Sequence, residues 1–96
     1  MIAKIHRSPS GIILALCDTE LLGKKFEEGE AQLDLSGPYF RGVEMTEREI
    51  LPAAKAAKII TLVGQRSVDF FIAEKIAHRE NVKKISGIPH LQIFRD

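Results

Sequence analysis

The chain carries a single cysteine, Cys17, in 96 residues. One thiol permits neither an internal disulfide nor a cysteine-cluster metal site, and it fits a reducing, cytoplasmic setting. Long apolar runs are also missing. Nothing approaches the roughly 18 consecutive residues of a membrane span. The nearest imitation, Ile12 to Cys17 behind Lys4 and Arg7, is too short for a lipoprotein signal and puts Leu16 where the cleavage site takes a small residue. No spacing of His, Cys, Asp and Glu announces a metal site, and no cofactor is expected. What is present is ordinary for a folded domain: 45% hydrophobic and 28% charged residues, with seven glycines and four prolines. Such a composition points to a folded chain and away from disorder. A chain of this length is one domain, residues 1–96, with one core and no room for a deep lidded active site.

Net charge is only +1, but it is spread unevenly along the chain. Residues 1–50 hold six Lys or Arg against nine Asp or Glu, giving −3, and residues 51–96 hold eight against four, giving +4. The basic second half points to an anionic partner. Against this stands a mixed, solvated surface, because clustering in space and not in sequence decides the matter.

The organising stretch runs from Lys58 to His90. Ile59-Ile60-Thr61-Leu62-Val63 is apolar at both alternating positions, as in a strand buried on two sides, and is expected to be central. Gly64 then turns the chain, Ser67 is a good N-cap, and Val68, Ile72, Ala73, Ile76 and Ala77 share one arc of a helix running to Arg79. Phe71 falls off that arc. Val82 to Ser86 and Leu91 to Phe94 read as short strands around Gly87-Ile88-Pro89.

Upstream, Met1 to His6 and Gly11 to Cys17 flank the turn chemistry of Arg7-Ser8-Pro9-Ser10 and make an N-terminal hairpin. Asp18 or Thr19 caps a single helical turn through Leu21 and Leu22 that Gly23 ends. Lys24 to Gly29 is exposed, and Ala31 to Leu35 alternates as a half-buried strand. The clearest helix start is the capping box of Thr46 and Glu49, with Met45 and Ile50 as its hydrophobic staple. Pro52 lies past the first turn, where a kink or a late restart is expected. The whole is an α/β or α+β mixed sheet with an N-terminal hairpin, two main helices and at least one parallel strand pair.

Two places suggest chemistry. At Gly64, Gln65, Arg66 and Ser67 the free amides of a helix N-terminus lie beside a cationic side chain, an arrangement able to hold a phosphate or carboxylate. It is neither a Walker loop nor a dinucleotide fingerprint, and the plain alternative is a capped helix after a strand. Gly87-Ile88-Pro89-His90 presents His90 from a rigid turn with Gln92 on the same strand face, but no partner carboxylate lies at a useful local spacing. Cys17 reads as a buried strand-end thiol. His6-Arg7 reads as a surface pair. Tyr39-Phe40-Arg41 and Phe71 are the aromatics a single-stranded RNA would stack on if they are exposed, with core packing as the alternative.

Leu62-Val63-Gly64-Gln65-Arg66-Ser67-Val68, followed by Ile85-Ser86-Gly87-Ile88-Pro89-His90-Leu91-Gln92-Ile93-Phe94, resembles the archaeal domain of unknown function 424 family. In that family a Val-Gly-Glu-x-x-Val block precedes a helix and a Gly-Val-Pro-His-x-Gln-x-Phe block closes the chain. Cys17-Asp18, Leu22-Gly23-Lys24 and Glu28-Gly29-Glu30 extend the likeness. Gln65 stands where the family has Glu, and Tyr39-Phe40-Arg41-Gly42-Val43-Glu44 replaces Phe-Tyr-Gly-Gly-Glu. The resemblance implies an archaeal cytoplasmic protein without an established activity, loosely associated with translation and RNA.

Two functions follow. The first is a non-catalytic binding module for RNA or a ribonucleoprotein partner, using Lys55, Lys58, Phe71, Lys83, Lys84, His90 and Arg95. The second is a small enzyme or ligand-binding protein, with an anion at Gly64 to Ser67 and His90 as acid or base. An enzyme needs His90 and the Gly64 turn in one concavity, and a binder needs a basic face.

Overall fold

The run from Ile59 to Val63 is central, and the chain is built outward from it. In a computed structural model, which describes residues 1–95, ten regular elements follow in order: β1 (Ile2–Ser8), β2 (Gly11–Cys17), β3 (Lys25–Glu28), β4 (Ala31–Asp34), β5 (Val43–Glu44), α1 (Glu47–Ala56), β6 (Ala57–Val63), α2 (Gln65–Ala73), β7 (Lys83–Ile85) and β8 (Ile88–Phe94). Single 3-10 turns occupy Thr19–Leu21, Pro38–Phe40 and Arg79–Asn81. Six strands form one mixed sheet in the order β5-β1-β2-β6-β8-β7, and β3 with β4 forms a separate hairpin. β6 is paired on both sides, parallel to β2 and antiparallel to β8. The parallel pair is the crossover predicted for a strand reached through a helix.

Both helices lie on one face of the sheet. Strand alternation sends Leu14, Leu16, Ile60, Leu62 and Leu91 to that face, where they pack against Ile50 and Ala54 of α1 and Val68 and Phe71 of α2. The other face is covered over only half its length. There Ile2, Ala15, Cys17 and Val63 pack under Leu35 and Phe40 from the segment that joins β2 to α1. The β3–β4 hairpin is held at this end by Ser86, which donates from its amide to Glu28 Oε1 and from its hydroxyl to the Glu27 carbonyl, each at 2.6 Å. Among the described residues the remaining half of this face, toward His6, Ile13, Thr61, Gln92 and Phe94, carries no α-helix or strand, and only Tyr39 of the Pro38–Phe40 turn crosses it.

Local chemistry explains the element boundaries. Thr46 Oγ1 accepts from the Glu49 amide at 3.2 Å and Glu49 Oε1 accepts from the Thr46 amide at 2.9 Å, so the capping box is formed. Helix α1 runs through Pro52 without a restart and gives way at Ala57 directly to β6, two residues before the predicted start of the strand. Ser86 and Gly87, at φ 51° and 78°, form the two-residue turn between β7 and β8. Pro89 and His90 therefore belong to strand β8, not to a turn as expected. Pro89 is accommodated there with its carbonyl accepting from the Gly64 amide at 2.8 Å.

Helix α2 departs most from expectation. It ends at Ala73, because Lys75 takes a left-handed φ of 62°, and so never reaches Arg79. Its cap residue is Gly64, not Ser67, which lies in the first turn. The shorter helix turns Ser67, Val68, Phe70 and Phe71 inward, and Phe71, expected off the buried arc, is fully buried.

The carboxylate that satisfies this helix comes from the end of β2. Asp18, 3% exposed, accepts from the Arg66 amide (3.1 Å, Oδ2) and from the Ser67 amide and hydroxyl (both 2.8 Å, Oδ1). Gly64 makes room for it. At φ 112° its backbone suits no other residue, and a Cβ there would lie 2.3 Å from Asp18 Cγ. Gly64→Ala is expected to cost roughly 3 to 5 kcal/mol through strain and loss of the buried carboxylate's seat. Asp18→Asn is expected to cost about 1 to 3 kcal/mol, since its amide group turns donors toward donors. Urea unfolding midpoints of the two variants against the parent chain measure both, and a change within error for either would remove the coupling argued for this junction.

Candidate functional site on the open face of the sheet

The residues singled out for anion binding form a site that is already filled. The Arg66 and Ser67 amides are taken by Asp18, so the carboxylate this helix N-terminus holds is the protein's own. Gln65 is turned to Asp69, donating from Nε2 at 2.8 Å. His90 lines a cleft on the open face with Lys83 and Gln92, whereas Gln65 lines a cleft on the helix side with Lys84 and Pro89.

The basic residues expected on one face are also distributed. Lys83 and Lys84 are neighbours on β7, and alternation sends them to opposite faces: Lys83 lines a cleft with His90, Lys84 a cleft beside α2. Lys55 is exposed on α1. Arg95 serves a helix end, its guanidinium donating to the carbonyls of Ala54 and Ala57. Lys58 lines a groove at the top of the open half-face with Ile13, Ile59 and Phe94.

What the fold does assemble is a patch on that half-face. In the register of the sheet, His6 of β1 stands beside Ile13 of β2, Thr61 of β6 beside Gln92 of β8, and Ile59 beside Phe94. These side chains share one face, with His90 and Lys83 at its lower corner. Phe94 is 69% exposed and Tyr39 is 38% exposed, whereas its neighbour Phe40 is buried. The Tyr39 ring stacks on His6 at 4.7 Å between centroids and 17° between planes. His6 Nε2 donates to the Tyr39 carbonyl at 2.9 Å, which fixes the imidazole tautomer at that nitrogen. The Tyr39 hydroxyl lies 3.1 Å from Thr61 Oγ1, which also accepts from Gln92 Nε2 at 3.2 Å. Tyr39 is thus pinned at both ends across the sheet.

Two concavities frame the patch. One, of about 460 Å³, lies between Tyr39, Thr61, Lys83, His90, Gln92 and Phe94; the other, of about 400 Å³, lies between Ser8, Ile13, Lys58, Ile59 and Phe94. Among the described residues no carboxylate lines either one. Partial burial, aided by the Lys83 charge, holds the His90 imidazole below its ordinary value, so at neutral pH it is an uncharged hydrogen-bonding group. Of these residues the sequence alone points to His6, Tyr39, Lys58, Lys83, His90 and Gln92, but not to Phe94. The signal was available, since Phe94 continues the two-residue period of His90 and Gln92.

Among the described residues no three His, Cys, Asp or Glu side chains gather as a metal site. Cys17 lies fully buried beneath Phe40 and Leu35. Burial first, and the adjacent Asp18 charge second, push its thiol up to about 11, which leaves it un-ionised and poorly nucleophilic.

The sequence profile of a family described as "Protein of unknown function (DUF424)" matches residues 6–95. The chain belongs to that family. Among solved structures, the crystal structure of an uncharacterized conserved protein from Methanopyrus kandleri superposes with a TM-score of 0.81 at 24% identity, over 97% of this chain and 89% of the other. At that identity the likeness is one of fold. No curated protein matches the chain. In this chain Val63, Gly64 and Ser67 seat Asp18, and β8 turns His90, Gln92 and Phe94 to the patch.

Two measurements test this account. Cys17 is expected to stay unmodified by a thiol reagent such as dithionitrobenzoate at pH 8 and to react at once in denaturant; modification of the folded chain would show the thiol to be accessible. For His90, the folded state favours the neutral form, so above pH 6.5 nothing is lost, and as pH falls below it the unfolded chain takes up a proton that the folded chain resists. Stability is therefore expected to decline with falling pH from that point, and His90→Asn to flatten the decline in urea midpoints measured across the range. The carboxylates held low by hydrogen bonds, such as Glu49 within its capping box, weaken only further down.

Proposed function

We propose that the chain is a non-catalytic binding module whose open half-face takes single-stranded RNA, alone or within a ribonucleoprotein. One observation carries this reading: a sheet face with exposed Phe94 and Tyr39, cations Lys58 and Lys83 at its margins, and no lining carboxylate among the described residues. Single-stranded RNA is recognised by rings on which bases stack and by cations that follow the phosphates. A pinned Tyr39 and a Phe94 on a rigid strand supply such rings without ordering cost. Thr61, Gln92 and neutral His90 add hydrogen-bonding groups for base edges.

The same geometry weighs against an enzyme built on Gly64 to Ser67 and His90, because the turn and the imidazole open to different sides of the sheet. It also revises the residues proposed for RNA. Phe71 is in the core and Lys84 is exposed on the helix side, so neither belongs to the open face.

The test is fluorescence anisotropy with a labelled oligouridylate of about 12 nucleotides, spanning the usual site size of a single module. Affinity is expected to fall as salt rises from about 50 to 200 mM through release of counterions. Phe94→Ala and Tyr39→Ala are each expected to weaken binding at least about fivefold, the lower end of a stacking contribution. Lys83→Glu should weaken it and reduce the salt dependence, whereas Lys84→Glu on the far side should do much less. Absence of binding at low salt, or indifference to Phe94→Ala, would defeat the proposal.

A further inference from the structure

We propose that the outer edge of β8 is a strand-addition site for an extended, acidic segment of another protein. The inference does not depend on RNA binding; it rests on the backbone of β8 where the RNA reading rests on side chains of the sheet face.

The register identifies the free groups. In an antiparallel ladder, hydrogen-bonded rungs alternate with non-bonded ones. The Gly64 amide donates to the Pro89 carbonyl at 2.8 Å and the Arg95 amide to the Lys58 carbonyl at 2.7 Å, which marks the odd-numbered residues of β8 as those facing β6. His90, Gln92 and Phe94 therefore turn their N–H and C=O groups away from β6. His90 meets Lys83 of β7. Strand β7 begins only there; the chain before it is the 3-10 turn Arg79–Asn81, whose Asn81 lines the clefts on both sides of this edge without joining the ladder. Among the described residues Gln92 and Phe94 thus face no strand, and no turn or loop group bonds their main chain. Two donors and two acceptors stand in a row, about 7 Å apart, at the spacing of a sheet ladder.

This edge carries none of the residues that commonly keep strand edges unpaired. Lysine, proline and bulges are the usual devices. Proline and lysine occur where β8 is already paired, at Pro89 and across from it at Lys83 and Lys84, but Leu91-Gln92-Ile93-Phe94 has neither. At the other side of the sheet, β1 carries Lys4 and Arg7 along its outer reach beyond β5.

Concavities flank the edge above and below. On the open face is the 460 Å³ cleft with Lys83, His90 and Gln92. On the helix side, a cleft of about 330 Å³ is formed by Ile76, His78, Asn81, Leu91, Ile93 and Arg95. An added strand sends successive side chains alternately into the two, which is how strand addition gains specificity while main-chain bonds supply affinity. Neither cleft has a carboxylate among its described residues, and each offers a cation: Lys83 on one side, Arg95 held by the Ala54 and Ala57 carbonyls on the other. Charge complementarity therefore selects aspartate or glutamate in the incoming segment. It also disfavours a second copy of this chain, which would bring the same cations to the same edge.

The probe is a phage-displayed library of linear peptides of about ten residues, long enough to cover the free edge twice over, selected on the full chain. Recovered sequences are expected to be acidic, rich in strand-forming residues and free of proline in their central stretch. Titrated into isotope-labelled protein, a selected peptide should shift the Gln92 and Phe94 amides. N-methylation of alternate peptide amides should weaken binding about tenfold per lost hydrogen bond, and N-methylation of the intervening ones should leave it nearly unchanged. Because the peptide and not the protein is altered, misfolding cannot mimic this pattern. Lys83→Glu should weaken acidic peptides and leave the spectrum of the folded chain otherwise intact. A library that yields no binder, shifts that map elsewhere, or a uniform response to N-methylation overturns the proposal. So does self-association mapping to these amides, or a shift of them by oligouridylate with no peptide binder found, either of which assigns the edge to another occupant.

Discussion

A buried carboxylate with three donors holds the two halves of this protein together. Asp18 ends the hairpin of β1 and β2, and the groups it accepts from open the helix that follows β6. Its amide also donates to the Val63 carbonyl at 3.0 Å, continuing the parallel ladder one step past the strand. A carboxylate withdrawn from water is tolerable only when its oxygens are fully occupied, and here the occupants are amides at the positive end of a helix. The arrangement needs a residue without a side chain at position 64, which is why a glycine stands between strand and helix. It also occupies the Arg66 and Ser67 amides, so this helix end already holds its carboxylate.

The division between the two faces follows from coverage. One face is buried under α1 and α2 along its length and is given to stability. The other is buried only where Leu35 and Phe40 cross it, and the uncovered part keeps polar and aromatic side chains on a rigid support. Tyr39 belongs to both regions: it lies between Leu35 and Phe40 in the segment that covers the lower half and is tied to His6 and Thr61 at the boundary. Recognition by side chains of this face and by the backbone of the adjoining edge would use one platform, with Phe94 as their common residue.

The legible features were those whose causes are local. Thr46 and Glu49 lie within one turn of each other, and the box they form is read directly. Ile59 to Val63 shows its two-sided burial in its own composition. β3 escaped because Lys25-Phe26-Glu27-Glu28 has one apolar residue and pairs only with its neighbour β4. Phe71 was misplaced for a different reason: a helical wheel drawn to Arg79 includes residues that Lys75 has already turned out of the helix, and their inclusion shifts the apparent apolar arc. The role of Asp18 had no local signature at all. Its partners lie 48 and 49 residues away, and a short-range reading assigns the residue to the turn that begins beside it. Grouping Lys83 with Lys84 counted charge along the sequence, where strand alternation separates them.

The parallel pairing of β2 with β6 has a kinetic side. Cys17 meets Val63, so the chain must close a loop of roughly 45 residues before the central rung of its sheet can exist, an entropic cost that grows as (3/2)RT ln n and reaches about 3 kcal/mol. The β1–β2 hairpin, the β7–β8 hairpin and the capped start of α1 each form over short separations. None of them joins the halves. Joining the halves therefore needs a long-range encounter in which β6 docks beside β2, and its entropic cost grows only slowly with the length of the segment between them.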